Sequence, residues 1–212
     1  MKTSVALCSY NGERYIGKQL ESILFQTLPV DEIVICDDGS SDNTLSIVNA
    51  IRSQTDILIR LYVNDKNIGC RANFQKALGL CIGDIIFFSD QDDIWIPDKV
   101  ERIMKWFGIN SDKEVVFTNG TYIDSVGNPC AGDSTLFFSY GMTRRAKRWM
   151  NRGFAMELFL KNNKATGATM AIRRTILNDF HIDSSSDNDT PYHDAQISMF
   201  AIQRNSLGYI PD

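Results

Sequence analysis

Glu32-Ile33-Val34-Ile35-Cys36-Asp37-Asp38-Gly39-Ser40-Ser41-Asp42 decides the fold. Glu32 to Cys36 reads as a buried strand, and it stops abruptly on two carboxylates and a glycine. Ser41 then offers an N-cap and Asp42 a first-turn acid for a helix whose inward face is Leu45, Val48 and Ile51. That is one βα unit, and the rhythm repeats on both sides of it. Ser4 to Cys8 reads as a strand, followed by a helix from about Gly12 with Ile16, Leu20, Ile23 and Leu24 on one face, stopping before Pro29. Ile57 to Val63 gives a third strand. A turn at Asn67 to Gly69 leads into a helix faced by Phe74, Ala77, Leu78 and Cys81, then the strand Asp84 to Ser89. Pro97 opens a helix with Val100, Ile103, Met104 and Phe107 at i, i+3, i+4 and i+7. Four alternations of this kind predict an open, mostly parallel α/β sheet.

Beyond Glu114 the pattern thins. Val115 to Thr118 and Ala168 to Ile172 read as short strands, and Gly127 to Thr143 is polar without clear period. Ser184-Ser185-Ser186 reads as a loop, and Gly208 to Asp212 as the start of another strand, so the chain is expected to be a fragment of a longer protein. Arg144, Arg145, Lys147, Arg148 and Arg152 cluster around Trp149 and Met150. Such a run is either a solvated face or a basic amphipathic surface that meets an anionic leaflet or a diphosphate.

Composition narrows the function classes. The chain has 212 residues, 43% of them hydrophobic, with a formal net charge of −4. No window approaches the roughly 18 apolar residues of a membrane span, and Met1-Lys2-Thr3-Ser4 runs into a strand without a signal-peptide pattern. Five cysteines without a CxxC pair fit a reducing, cytoplasmic setting. Two histidines exclude multi-histidine zinc sites, while 26 carboxylates leave ample ligands for a hard, oxygen-bound cation. Mild acidity argues against nucleic acid as a partner.

In an open parallel sheet, ligands gather outside the carboxyl ends of the strands. Three ends carry unusual residues: Ser9-Tyr10-Asn11-Gly12, Asp37-Asp38-Gly39-Ser40 and Asp90-Gln91-Asp92-Asp93. No GxxxxGK[ST] or GxGxxG loop is present. If the strand geometry persists, Asp90 and Asp92 point to one side, where like charges repel unless a cation such as Mg²⁺ or Mn²⁺ intervenes. The plainer reading is an acidic turn capping the next helix. For Asp37 and Asp38 the plainer reading is an Asx-type turn, with Gly39 taking a positive φ. Ser9, Asn11, Asp38 and Asp92 nonetheless converge on one sheet edge, as a nucleotide pocket requires. Asp194 falls in the first turn of a segment opened by His193, where it is either an N-cap or a base poised to accept a proton.

These residues resemble the family 2 inverting glycosyltransferases with a GT-A fold, over nearly the whole chain. Cys8-Ser9-Tyr10-Asn11-Gly12 with Leu20 to Thr27 looks like the family's opening, and Val34 to Thr44 is similar to its most recognisable signature. Asn67-Ile68-Gly69 with Asn73, then Asp90-Gln91-Asp92-Asp93 with Trp95, Pro97 and Lys99, are similar to the family's next two segments, the latter its DxD motif. Gly167-Ala168-Thr169 resembles the acceptor-side segment, and His193-Asp194 the acidic pair of rhamnosyltransferase-like members, although Ala195 and Gln196 stand where those often carry tryptophans.

The resemblance implies a single GT-A domain over residues 1–212, with a Rossmann-like nucleotide-binding half at 1–110 and an acceptor-side half at 111–212. It implies that Ser9, Asn11 and Asn73 belong to the nucleotide pocket, that Asp38 contacts base or ribose, that Asp90 serves the ribose and Asp92 the metal, and that Asp194 is the catalytic base. The expected donor is a nucleotide-diphosphate sugar and the acceptor a glycan or lipid-linked hydroxyl in cell-surface polysaccharide synthesis, with peripheral contact at the inner membrane face. The family's aromatic-Arg-x-His segment would fall past Asp212. Two rivals remain on the residues alone. A phospho-receiver-like module would use Asp37 and Asp38, although it would not need Asp90, Asp92 and Asp194. A sugar nucleotidyltransferase would normally need a Gly-rich basic loop where Ser9-Tyr10-Asn11 stands.

Overall fold

The computed structural model describes residues 1–130, 132, 135–185 and 191–211. Asp212, Ser186 of the expected serine loop, and Ala131, Asp133 and Ser134 of the polar stretch lie outside the described residues. Among the described residues, seven strands build one sheet: β1 (Thr3–Ser9), β2 (Glu32–Asp37), β3 (Leu58–Val63), β4 (Ile85–Ser89), β5 (Val115–Phe117), β6 (Met170–Arg173) and β7 (Leu207–Tyr209). Their order is β3-β2-β1-β4-β6-β5-β7. The first four are mutually parallel, β5 pairs parallel with β7, and β6 alone runs against its neighbours β4 and β5. This is the expected open, mostly parallel α/β sheet.

Strand side chains alternate between faces, so one sheet carries two cores. Val5, Leu7, Ile33, Ile35, Ile85 and Phe87 meet α1 (Ile16–Leu24), α2 (Thr44–Arg52) and α4 (Lys99–Ile109). Ala6, Cys8, Val34, Cys36, Ile86 and Phe88 meet α3 (Cys70–Leu80) on the other side. That second core continues into the short helices α5 (Leu136–Ser139), α6 (Arg144–Met150) and α7 (Ala155–Lys161), and into α8 (His193–Gln203).

Three helix starts differ from expectation: α4 begins at Lys99, two residues after Pro97, and the other two are shifted by hydrogen bonding. Residues 12–15 form a turn in which Gly12 O accepts from Tyr15 N and Ile16 N, and regular helix begins only at Ile16. Ser41 does not cap α2. Its N–H donates to Asn11 Oδ1 (2.9 Å), and Asp42 Oδ1 instead accepts from Thr44 N (3.0 Å) and Thr44 Oγ1 (2.5 Å). The stretch Gly127 to Thr143, expected to be without period, carries α5 and the bridges Thr121 to Thr135 and Ile123 to Pro129.

The edge of the sheet opposite the acidic loops is fastened by Glu32. Its Oε1 accepts from Ser4 Oγ (2.5 Å) and Ile82 N (2.8 Å), and its Oε2 from Arg60 Nη2 (2.6 Å) and Nε (3.0 Å). One buried carboxylate thus joins β1, β2, β3 and the chain leaving α3. Glu32→Ala strands the hydroxyl, the amide and much of the guanidinium charge, and is expected to lower unfolding free energy by about 2 kcal/mol or more, measured by urea denaturation.

Candidate active site

The parallel register sets Ser9 opposite Asp37 and Leu7 opposite Ser89, so β1, β2 and β4 release their chains at one edge. The loops there are tied to one another. Asp37 accepts from Ser40 N (2.8 Å), Ser40 Oγ (2.6 Å) and Ser9 Oγ (2.7 Å), while Gly39 takes φ +81°. Asp37 therefore makes the turn that the sequence left open as the plainer reading. Asp38 reaches the next junction, accepting from Asn64 Nδ2 (2.7 Å), Ile68 N (2.9 Å) and Gly69 N (2.9 Å). Asn73 completes this lattice, accepting from Asn64 Nδ2 (2.9 Å) and donating to Cys36 O (2.7 Å).

Ser9, Asp38, Asn73, Asp90 and Asp92 line one pocket of about 310 Å³, together with Cys8, Tyr10, Asn67, Cys70 and Gln91. Asn11 is not brought into it. At φ +48° its N–H donates to Ser40 Oγ (2.9 Å), and its side chain is held by Ser41 N. Asp92 also borders a second pocket of about 280 Å³, shared with Tyr15, Lys18, Asp93 and Asp124. β4 ends at Ser89, so the strand geometry that would align Asp90 with Asp92 does not persist, and both lie in a loop. That loop is pinned by Gln91, whose Oε1 accepts from Tyr10 N (2.9 Å) and whose Nε2 donates to Tyr10 O (3.1 Å).

Charge is concentrated here. Burial pushes the Asp90 carboxyl up to about 7, and Asp93, Asp92 and Asp194 add to the effect. Burial likewise raises Asp93, whose Oδ2 is buried without a hydrogen bond. Burial lowers the ammonium of Lys99, against the pull of Asp93 and Asp90. Lys99 Nζ donates to Ala168 O (2.6 Å) and lies 4.0 Å from the centre of the Trp95 ring. At Cys70, burial and the carboxylates of Asp90, Asp194 and Asp38 push the thiol up to about 11.

Asp194 stands in the first turn of α8 within electrostatic reach of Asp90 and Cys70. Its Oδ1 accepts from Ala195 N (2.6 Å) and its Oδ2, at a longer 3.3 Å, from Gly167 N. Burial raises its pKa, and those amides offset part of the rise. His193 anchors it from below, its ring stacked 4.1 Å from Phe74 and 5.7 Å from Phe88, with both ring nitrogens buried and unbonded. The ring rests on Gly167, where a Cβ would lie 2.8 Å from His193 Nε2.

No three His, Cys, Asp or Glu side chains form a ready chelate among the described residues. The site offers an exposed Asp92, the orphaned oxygen of Asp93 and a partly neutralised Asp90. Hard donors of this kind fit a magnesium or manganese ion held by one or two carboxylates and completed by water and phosphate oxygens.

The profile of Glycosyl transferase family 2 matches residues 4–181. The chain belongs to this family. Among family 2 relatives, the Escherichia coli UDP-Glc:alpha-D-GlcNAc-diphosphoundecaprenol beta-1,3-glucosyltransferase WfgD is 39% identical over 98 residues, 46% of this chain and 38% of that one. In the curated relatives the match covers less than half of their length. Two solved structures share the fold over all of this chain. TarS from S. aureus in complex with UDP gives a TM-score of 0.72 at 21% identity over 58% of that chain. The mannosyltransferase PcManGT from Pyrobaculum calidifontis, in complex with GDP-Man and Mn²⁺, gives 0.71 at 20% identity over 54% of that chain.

The sequence reading named Gln91, Lys99 and Gly167 inside its motifs but gave them no role, and it did not name Asn64. Gln91, Asn64 and Gly167 act through contacts distant in sequence, which leave no local signal. The role of Lys99 did leave one, because it shares the inward face of α4 with Ile103, an unusual place for a cation.

His193 supplies a test of this packing. Burial holds its pKa near 4, below the unfolded value of about 6.5, so the unfolded chain binds the proton first as pH falls. The contribution of His193 to stability is therefore full above pH 6.5 and declines toward pH 4 by up to about 1.4 kcal/mol per pH unit. His193→Leu is expected to flatten that part of the curve, read as the difference between thermal melts of the two proteins across this range.

Proposed function

We propose that this chain is the catalytic domain of an inverting, hexosyltransferase-like glycosyltransferase. It moves a sugar from a nucleotide-diphosphate sugar to a hydroxyl of a glycan or lipid-linked acceptor, in cell-surface polysaccharide synthesis, with Mg²⁺ or Mn²⁺. The observation that carries this reading is the single pocket shared by Asp38, Asp90 and Asp92, which arrive from two separate strand ends, with Asp194 in electrostatic reach. Family membership supports it, as do the nucleotide-sugar transfer named for WfgD and the nucleotide complexes of TarS and PcManGT. Buried thiols at Cys8, Cys36 and Cys81 support a reducing, cytoplasmic setting. Neither the phospho-receiver nor the nucleotidyltransferase reading draws support from the family match.

In this reading the pocket of Ser9, Asp38 and Asn73 takes the nucleoside, Asp90 the ribose, and Asn11 acts by bracing the two loops that form the pocket wall. Asp92 would hold the cation, with Asp93 beside it, and a divalent ion there offsets the charge that grows on the departing diphosphate. Asp194 accepts the acceptor hydroxyl's proton as that oxygen attacks the anomeric carbon on the face opposite the leaving group, so configuration inverts. Burial suits Asp194 to the task, since a raised pKa makes it a stronger base.

Asp194→Asn is expected to leave donor affinity intact and to lower turnover by about 10²–10⁴-fold, measured by calorimetry and a transfer assay on one preparation. Because the raised pKa must be exceeded for Asp194 to be ionised, the acid limb of the wild-type rate profile should lie above the ordinary carboxylate range. Asp92→Asn is expected to abolish the gain in nucleotide affinity that Mn²⁺ confers; calorimetry showing the same Mn²⁺ dependence as wild type would remove Asp92 from the metal site.

A further inference from the structure

Arg144, Arg145, Lys147, Arg148 and Arg152 place five cations in nine consecutive positions that hold no acid, in a chain of net charge −4. α6 turns this run into a surface. Ala146 is buried against the core, whereas Arg144, Arg145, Arg148 and Trp149 are exposed. Positions 145, 148, 149 and 152 follow i, i+3, i+4 and i+7, so three cations and an indole share one stripe along the helix and the turn that ends it. The Arg145 guanidinium lies 5.2 Å from the centre of the Trp149 ring. Gly153, at φ +88°, folds the chain back so that Phe154 N donates to Trp149 O (3.1 Å) and the two rings sit 5.8 Å apart. Trp149 and Phe154 remain 37% and 47% exposed, and Phe138 on α5 and Leu160 on α7 are 67% and 66% exposed.

Large apolar groups held open to water beside guanidinium groups match a membrane interface, where rings settle at headgroup depth and cations meet lipid phosphates. A nucleic acid would satisfy the same cations but would give Phe138 and Leu160 no apolar counterpart. Among the described residues no helix is long and apolar enough to cross a membrane, so any contact made by them is from the side. We propose that the α6–α7 face is a peripheral docking surface for an anionic bilayer.

The chain from Lys161, which ends α7, to Gly167 is six residues, at most about 20 Å extended, and Gly167 N donates to Asp194. The docking face is therefore tethered close to the residue assigned as base, which keeps an acceptor anchored in the same bilayer within reach. That consequence rests on the transfer reading; the docking itself does not.

Vesicle co-sedimentation of the 212-residue chain tests the proposal. The chain is expected to sediment with phosphatidylcholine vesicles containing about one-third phosphatidylglycerol, to stay in solution with phosphatidylcholine alone, and to be released as salt rises. Arg145→Glu/Arg148→Glu should weaken the partition about tenfold or more, and Trp149→Ser should weaken it at constant charge. Equal sedimentation with both vesicles, none with the anionic ones, or an undiminished charge-reversed variant would overturn the proposal. Retention on single-stranded RNA without vesicle binding would overturn it as well. The wild-type comparison of two lipids holds whether or not a variant folds. Donor calorimetry on the same proteins separates the two readings, because loss of donor binding in wild type sinks the transfer proposal and leaves vesicle binding as it was found.

Discussion

Parallel strands that finish within two residues of one another set the geometry of the rest. With Ser9 opposite Asp37 and Leu7 opposite Ser89, three chains leave the sheet side by side, and their first loop residues have no strand partner above them. Their polar groups must bond to one another or to water. Asp37 fastens the β1 junction to the β2 junction through Ser9, and Asp38 fastens the β2 junction to the connection between β3 and α3 through Asn64, Ile68 and Gly69. A pocket whose walls are bonded in this way is preformed, so little ordering remains to be done when a ligand enters.

The carboxylates on that edge fall into two kinds. Asp37 and Asp38 each accept from three donors and act as structural anchors. Asp90 and Asp93 are crowded by burial and by each other, and Asp93 keeps an oxygen with no partner. Lys99, buried beneath them with its own charge disfavoured, is too little to balance the group. The fold thus crowds carboxylates whose charge is disfavoured at the point where a cation and a diphosphate are proposed to meet, while the anchoring acids are already satisfied.

Residues and their period revealed the first half of the fold because its strands and helices are long enough to show one. Ser4 to Cys8 and Glu32 to Cys36 fall inside β1 and β2, and the inward residues named for α1 to α4 face the cores except Leu45, in place of which Ile47 packs beside Val48 and Ile51. The second half was less legible. α5, α6 and α7 have four, seven and seven residues, too few for a 3.6-residue period to declare itself. The reversal of β6 was invisible, since alternation along a strand carries no direction. At the site, strand-end reasoning brought Ser9, Asp38, Asp90 and Asp92 to one pocket, but it placed Asn11 there too, whereas that side chain is consumed in holding Ser41. That distant bond also holds Ser41 outside α2, which begins only at Thr44.

The reversed strand has a wider consequence. Because β6 runs against β4, residues about to enter the sheet reach the edge that other strands reach on leaving it, and Gly167 and Ala168 come to lie beside Asp194 and Lys99. The molecule is divided by a seam. On one side, four consecutive βα units are built by neighbours in sequence; on the other, the edge is reached by separate segments, Asp124 and its neighbours, Gly167 and Ala168 ahead of β6, and Asp194 opening α8. Changes could accumulate in those segments, altering what is presented to the edge, without unsettling the bonded loops of the first half. A lineage could diversify the one while inheriting the other unaltered.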